Sequence, residues 1–468
     1  MPLALSSKLH HFRDCCVFIV PQAGPIPMKP FPAVSAFFLI ALTAIPASDW
    51  PEWRGPEGQG VSRATDVPTV WSEERGLVWK TPMPGRGHST PVVAGGVVWV
   101  TTALEVPATA EETEQRLKEN TGDQPLTVLS SVSLRAVACE LSSGRIMHDV
   151  ELLNVKAPQW VHQLNSYASP SPVMRDGRLY AYFGSLGTAC LDTAKAEVVW
   201  RNTELQVMHE NGPGSSPVLW QKRLIVHFDG SDKQFIAAYD TDTGKLAWQT
   251  PRSGAMDPRP QQKKAYATPL IVRMNGLDTV VSPAADWVYG YSPADGRELW
   301  KQPYGELGFS MSVKPVADEC RIYISTCFGK SQLIALEYAG RETPEVVWRN
   351  TKNAPKMSSP VLSDGLIYFV DEGGIVSCLD SASGETVYRE RLEGKFSASP
   401  VLAGGRLYFA SREGRVYVIP AGKTFRVEAT NRIDGSIMAS PVPLNGSLLL
   451  RTGEHLYLAG GAAAQTGR

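Results

Sequence analysis

Short apolar runs alternate with turn-forming clusters along most of the chain, and within the runs large side chains recur at every second position. RLYAYFG (Arg178 to Gly184), LIYFV (Leu366 to Val370) and RLYFA (Arg406 to Ala410) are bounded by Gly or Asp-Gly and predict buried strands. The runs come in sets. Each set opens on a residue followed by Pro: Ser89-Thr90-Pro91, Ser171-Pro172, Ser216-Pro217, Thr268-Pro269, Lys314-Pro315, Ser359-Pro360, Ser399-Pro400 and Ser440-Pro441. Successive prolines lie 81, 45, 52, 46, 45, 40 and 41 residues apart. All but the first interval fit the roughly 40 to 50 residues of a four-stranded propeller blade.

Within a set the order is constant. A short strand follows the Pro, a Gly-bearing turn (Asp176-Gly177, Asp364-Gly365, Gly404-Gly405) leads to a second strand, and a third (FIAAYD, IVSCLD, RVYVIP) precedes a fourth that ends on an aromatic. The third and fourth strands are joined at a fixed offset of eight: Asp192 to Trp200, Asp240 to Trp248, Ser292 to Trp300, Asp380 to Tyr388 and Glu140 to His148, with Glu337 to Trp348 stretched to eleven. Gly144, Gly244, Gly296 and Gly384 sit where a tight turn needs positive φ. Ala196 holds that place in one set, which predicts a different turn there. The terminal aromatics are expected to pack between neighbouring sheets. The last set, from Pro441, lacks an aromatic-bearing fourth strand, and Leu77-Val78-Trp79-Lys80 has no set of its own. Pairing the two closes the ring and removes both sheet edges. The fold class expected is therefore all-β: an eight-bladed β-propeller of four-stranded antiparallel blades, the last completed by an N-terminal strand.

AYDTDTGKLAW (Ala238 to Trp248) and GYSPADGRELW (Gly290 to Trp300) resemble the tryptophan-docking repeat of quinoprotein dehydrogenases, which is shared by the non-catalytic propeller lipoprotein of the bacterial outer-membrane barrel assembly machinery. WPEWRGPEGQGVS (Trp50 to Ser62), NGPGSSPV (Asn211 to Val218) and the run Phe228 to Asp232 resemble exported PQQ-like propeller proteins of planctomycetes and related bacteria. The resemblance spans about residues 50 to 460 and implies the fold more than a function, because one scaffold carries many sites. Its enzymatic branch implies PQQ on the ring axis, a calcium ion, a carboxylate base and, in the large alcohol dehydrogenases, a vicinal disulfide. No Cys-Cys pair follows Cys15-Cys16. No cofactor is expected, with PQQ and Ca2+ belonging to the alternative.

Composition narrows the partners. The 468 residues carry 46 basic and 47 acidic side chains with no Lys/Arg cluster, which argues against nucleic acid. Length alone would suggest several domains, and the repeat replaces that with one closed propeller over 49–468. The first interval is longer by about 35 residues, an insertion at about 103–133. Within it ATAEETEQRLKEN (Ala108 to Asn120) reads as a short polar helix with a capping box at Thr109 and Glu112, a mobile loop being the alternative.

Lys29, the apolar run Phe31 to Ile45 and Pro46-Ala47-Ser48 have the form of a secretory signal over residues 28–48, which makes 1–27 a mis-assigned extension. The apolar run is shorter than the roughly 20 residues needed to span a bilayer, so no transmembrane anchor is expected after cleavage. A periplasmic or extracellular monomer is expected. Of the remaining cysteines, Cys190 and Cys378 take a place filled elsewhere by Ala238 and Gly290, which marks small buried positions. Cys320 and Cys327 flank one strand that holds them about 20 Å apart if extended, which disfavours a disulfide between them without excluding it.

No catalytic and no metal-ligating set emerges. Asp240 to Gly244 resembles the start of a calcium loop, but Pro251 stands where the bidentate acid belongs. What remains are the loops before each first strand and between second and third strands, which share one face around the axis. From these the loop-face binding candidates are His88, Trp160, His162, Asn165, Tyr167, Asn211, Asp229, Asp232, Lys264, Tyr266, Asp286 and Lys356. Tyr167 and Tyr266 are expected to be anchors for a partner, and Trp248 and Trp300 to be packing residues. Two functions stay open: an exported binding or scaffolding module for a protein, peptide or glycan, and a PQQ-dependent oxidoreductase acting on alcohols or sugars.

Overall fold

Each repeat folds as a four-stranded antiparallel sheet whose strands follow chain order from the axis outward, spanning 92–156, 173–202, 218–251, 270–303, 316–350, 361–391, 401–432 and, for the eighth blade, 442–460. The computed structural model describes residues 49–460 other than 119, 121, 123, 306 and 307. The proposed extension 1–27 and signal 28–48 lie outside the described residues. The eighth blade takes its outer strand from Leu77–Pro82, which pairs antiparallel with His455–Gly460 in a register running from Leu77 opposite Ala459 to Pro82 opposite His455. The ring is therefore closed by the N-terminal strand.

The recurring hydroxyl before each proline has a physical reason. The side chain of one blade's anchor accepts the backbone N–H of the preceding blade's anchor: Thr90 N–H to Ser171 Oγ, Ser171 to Ser216, Ser216 to Thr268, Lys314 to Ser359, Ser359 to Ser399, Ser399 to Ser440 and Ser440 to Thr90, all at 2.8–3.2 Å. Buried backbone donors must find an acceptor, and here each inner strand finds it in its neighbour. The circle is broken only between Thr268 and Lys314, where the repeat substitutes an ammonium for a hydroxyl.

The aromatics hold the outer rim in the same serial way. Trp79, Trp200, Trp248 and Trp348 each donate Nε1–H to a carbonyl of the next blade's third-to-fourth turn, at Leu141, Thr241, Pro293 and Ser381 respectively (2.8–3.1 Å). A Cβ on the glycine of that turn would lie 2.4–2.6 Å from the indole, so Gly144, Gly244, Gly296 and Gly384 are needed for close approach as well as for φ near +70°. Ala196 corrects the expectation of a different turn: it adopts φ +55°, in the same left-handed region. The blade before it carries His148, opposite Ala138, in place of a tryptophan. In blades two to six a small residue of the third strand stands opposite the aromatic, including Cys190 facing Trp200 and Cys378 facing Tyr388, and the register shifts at the next position. Both thiols are buried, and Cys320 and Cys327 form no disulfide.

The insertion forms a helix, Ala110–Leu117, capped by Thr109, whose side chain accepts the Glu112 N–H at 3.1 Å. It rides on a lengthened hairpin, Val97–Pro107 with Leu129–Glu140, and its strand Leu126–Thr127 pairs with Val161–His162 on the loop face. Among the described residues no helix is long and apolar enough to cross a membrane.

Candidate functional site

One end of the axis is filled by the chain itself. Trp50 pairs with Val93, Pro51 O accepts the Met174 N–H, the Gln59 side chain accepts from Ala317, and Gly60 O accepts from Leu402. The segment thus touches the inner strands of blades one, two, five and seven on the side of the first-to-second-strand turns. Arg54, 1% exposed, donates to the carbonyls of Pro360 and Pro400 just inside the hydroxyl circle, and Trp53 Nε1 donates to Ser440 Oγ at 3.3 Å. A side chain on Gly60 would collide with the Arg54 guanidinium. Lys314, the residue that breaks the circle, turns its ammonium to Trp53 O. Burial pushes the pKa values of Arg54 (to about 9) and Lys314 down, the latter opposed by Glu52.

The other end lies among the loops, where the candidates divide. Four are structural. Tyr167 is fully buried, its hydroxyl donating to Gln159 O at 2.7 Å, so it cannot be an exposed anchor as expected; Val161, Ala168 and Leu186 share its apolar cluster. Trp160 is 7% exposed. Asp229 receives both prongs of the Arg252 guanidinium at 2.9 and 2.7 Å with neither side chain exposed, and Arg252 also donates to Ser282 Oγ. Burial pushes the Asp229 carboxyl upward while Arg252 pulls it down, and the two-pronged contact favours the charged pair. Lys264 is buried against Glu210 at 3.0 Å. These charges sit between blades and are spent on one another.

Four others converge. Asn165 Nδ2 donates to the carbonyls of Asn211 and Pro213, Asn211 Nδ2 reaches the Tyr266 hydroxyl at 3.3 Å, and that hydroxyl donates to His209 O at 2.6 Å. The His162 N–H donates to Asn211 O. This half-buried amide and phenol network ties blades two, three and four together at the loop face. Asp232 is exposed and accepts the Met208 N–H, while Asp286 accepts from Asp257. His88 and Lys356 lie apart from the network, in the loops before blades one and six; Lys356 has its ammonium over the Phe328 ring.

Arg412 and Arg451, outside the candidate set, stand beside His88 in this mouth. Arg451, 1% exposed, donates to Ser89 and Thr101 carbonyls, and Arg412 donates to Ser397 Oγ. Burial, followed by Arg86, Arg451 and Arg412, holds the His88 pKa down at about 3. The signal in the sequence was the position of these arginines, at the ends of second strands in two consecutive repeats.

Among the described residues no three His, Cys, Asp or Glu side chains gather as a metal site, and no cysteines are adjacent. That donor chemistry does not fit calcium with PQQ as the resemblance implies it.

A sequence-family model described as outer membrane protein assembly factor BamB matches residues 149–281, 284–393 and 372–467. No curated protein matches the chain. Among solved structures, a europium-containing methanol dehydrogenase is similar with a TM-score of 0.59 at 11% identity, over 87% of this chain and 90% of that one. BamB from Moraxella catarrhalis gives 0.54 at 12% identity, over 82% and 96%. The quinohemoprotein alcohol dehydrogenase from Comamonas testosteroni gives 0.60 at 11%, over 88% and 81%. At such identities the likeness is one of fold.

Proposed function

Because the chain belongs to the family of the outer membrane protein assembly factor BamB, we propose that it is an exported, non-catalytic propeller that docks a protein or peptide partner, or a glycan, on its loop face. The observation that carries this reading is the filling of one end of the axis by residues 50–60, which leaves the loop face as the end that this segment does not cover. The amide and phenol groups of Asn165, Asn211 and Tyr266 suit such a surface, since loops on a rigid scaffold place binding groups without moving the sheets beneath.

The fold likeness to quinoprotein dehydrogenases favours the second reading, a PQQ-dependent oxidoreductase. One experiment separates the two. The purified protein is incubated with PQQ and calcium and assayed for dye reduction over alcohols and aldoses. We expect no turnover above a heat-inactivated control. Sustained substrate-dependent reduction would put the oxidoreductase first.

A further inference from the structure

Arg451 is a cation with nothing to balance it. Its guanidinium is 1% exposed, its partners are the Ser89 and Thr101 carbonyls and the Ser89 hydroxyl, and its Nε has no partner. Backbone oxygens satisfy hydrogen bonds but leave the charge uncompensated, which is costly away from water. Two more guanidinium groups stand in the same mouth. Arg86, two residues before His88, donates to Gln163 O. Arg412 reaches across blades six and seven to Ser397 Oγ and Met357 Sδ, each two residues before its blade's hydroxyl anchor. None of the three forms an ion pair within 4 Å among the described residues, whereas the buried Arg252 has Asp229.

The nearby carboxylates Glu372 and Glu413 act on Arg412 only at longer range. Glu372 accepts the N–H groups of Lys356 and Met357, and Glu413 accepts that of Lys395. Glu105 acts on Arg86 only at longer range. His88 is half-buried among the three arginines and is neutral at ordinary pH, so it offers a hydrogen-bonding ring without adding charge.

We propose that the loop-face mouth is an anion site that receives a carboxylate or phosphate group between Arg86, His88 and Arg412, above the buried charge of Arg451. Guanidinium forks match planar carboxylates and phosphate oxygens in two-pronged geometry, and a recessed mouth strengthens that attraction relative to open water. That the anion belongs to a partner chain rests on the binding reading above; the site itself does not.

The test titrates the whole protein at low ionic strength, by calorimetry, with citrate, pyrophosphate, a tetra-aspartate peptide and its tetra-asparagine counterpart. Anions bind and the asparagine peptide does not. Arg412→Gln and Arg86→Gln each weaken binding about tenfold, the loss expected for one charge-assisted contact. Arg→Lys at either position restores part of it. Tighter binding of tetra-aspartate than of citrate assigns the anion to a partner chain, and the reverse order to a free small ligand. Should a glutamine variant melt early, competition by high salt on the wild-type protein decides, because a charged site loses affinity with ionic strength. Failure of every anion to bind, or binding indifferent both to salt and to the substitutions, overturns the proposal. Partner capture that survives both glutamine substitutions would show that the anion is not the partner's, leaving the site and the binding function to stand separately.

Discussion

A chain lacking residues 50–82 is expected to aggregate or to lack a cooperative melt. The deletion removes the strand Leu77–Pro82 and bares the edge of His455–Gly460, a ready template for pairing between molecules. It also removes three buried indoles, Trp50, Trp71 and Trp79. Each buries on the order of 200 Å², worth about 5 kcal/mol at roughly 25 cal/mol per Å². Together they rival the roughly 5–15 kcal/mol by which a domain is stable. Their contacts reach far along the chain: the Trp71 N–H donates to Asn431 Oδ1, and Trp79 Nε1 to Leu141 O. Solubility and calorimetry of the truncated protein check this, and a soluble product with a sharp single transition would contradict the shared blade.

Trp248→Ala is expected to cost about 3–5 kcal/mol, the usual range for a buried aromatic. The side chain is 9% exposed, sits opposite Ala238, donates to Pro293 O at 3.1 Å and lies against Gly296. Removing it opens a cavity between blades three and four and orphans their rim contact. Gly296→Ala attacks the same joint from the other side, since the new Cβ would lie 2.4 Å from the indole at a φ of +74°. Denaturant unfolding of the two variants measures both. A Trp248→Ala loss no larger than that of a substitution at exposed Leu277 would show that the rim rings are incidental to stacking.

Much of this fold is written in short-range pattern, which is why it could be read. The hydroxyl-proline anchors recur because every inner strand must satisfy its neighbour's N–H, and the glycine four residues into each outer turn recurs because an indole lies on it. Both requirements repeat blade by blade, so they imprint a period on the sequence. Ala196 keeps the same turn because the need for glycine comes from the preceding blade's indole, and that blade carries His148 instead. Lys314 was legible as the exception in the anchor series, but its meaning depended on residues 50–60 lying more than 250 positions earlier.

The loop candidates were harder because the same residue types serve opposite ends. Asp229 looks like a surface acid until Arg252 closes on it, and Tyr167 looks like an anchor until its hydroxyl finds Gln159 O. Neither partner is marked in sequence, since each pairing follows from how the chain folds back within one loop or one blade. His162, Asn165, Asn211 and Tyr266 come together because blades two to four are consecutive. The arginines of the mouth come from blades one, seven and eight, which meet only when the ring closes.

The binding account turns on which face of the ring meets a partner. A photo-reactive amino acid placed at exposed loop-face positions Leu164 and Asp232, and at exposed positions Asp176, Lys222 and Asn275 in first-to-second-strand turns, reads this directly in the producing cell. The account predicts discrete adducts, identified by mass spectrometry, from Leu164 or Asp232 and none from the turn positions. Adducts confined to Asp176, Lys222 or Asn275, or none from any position, would contradict it.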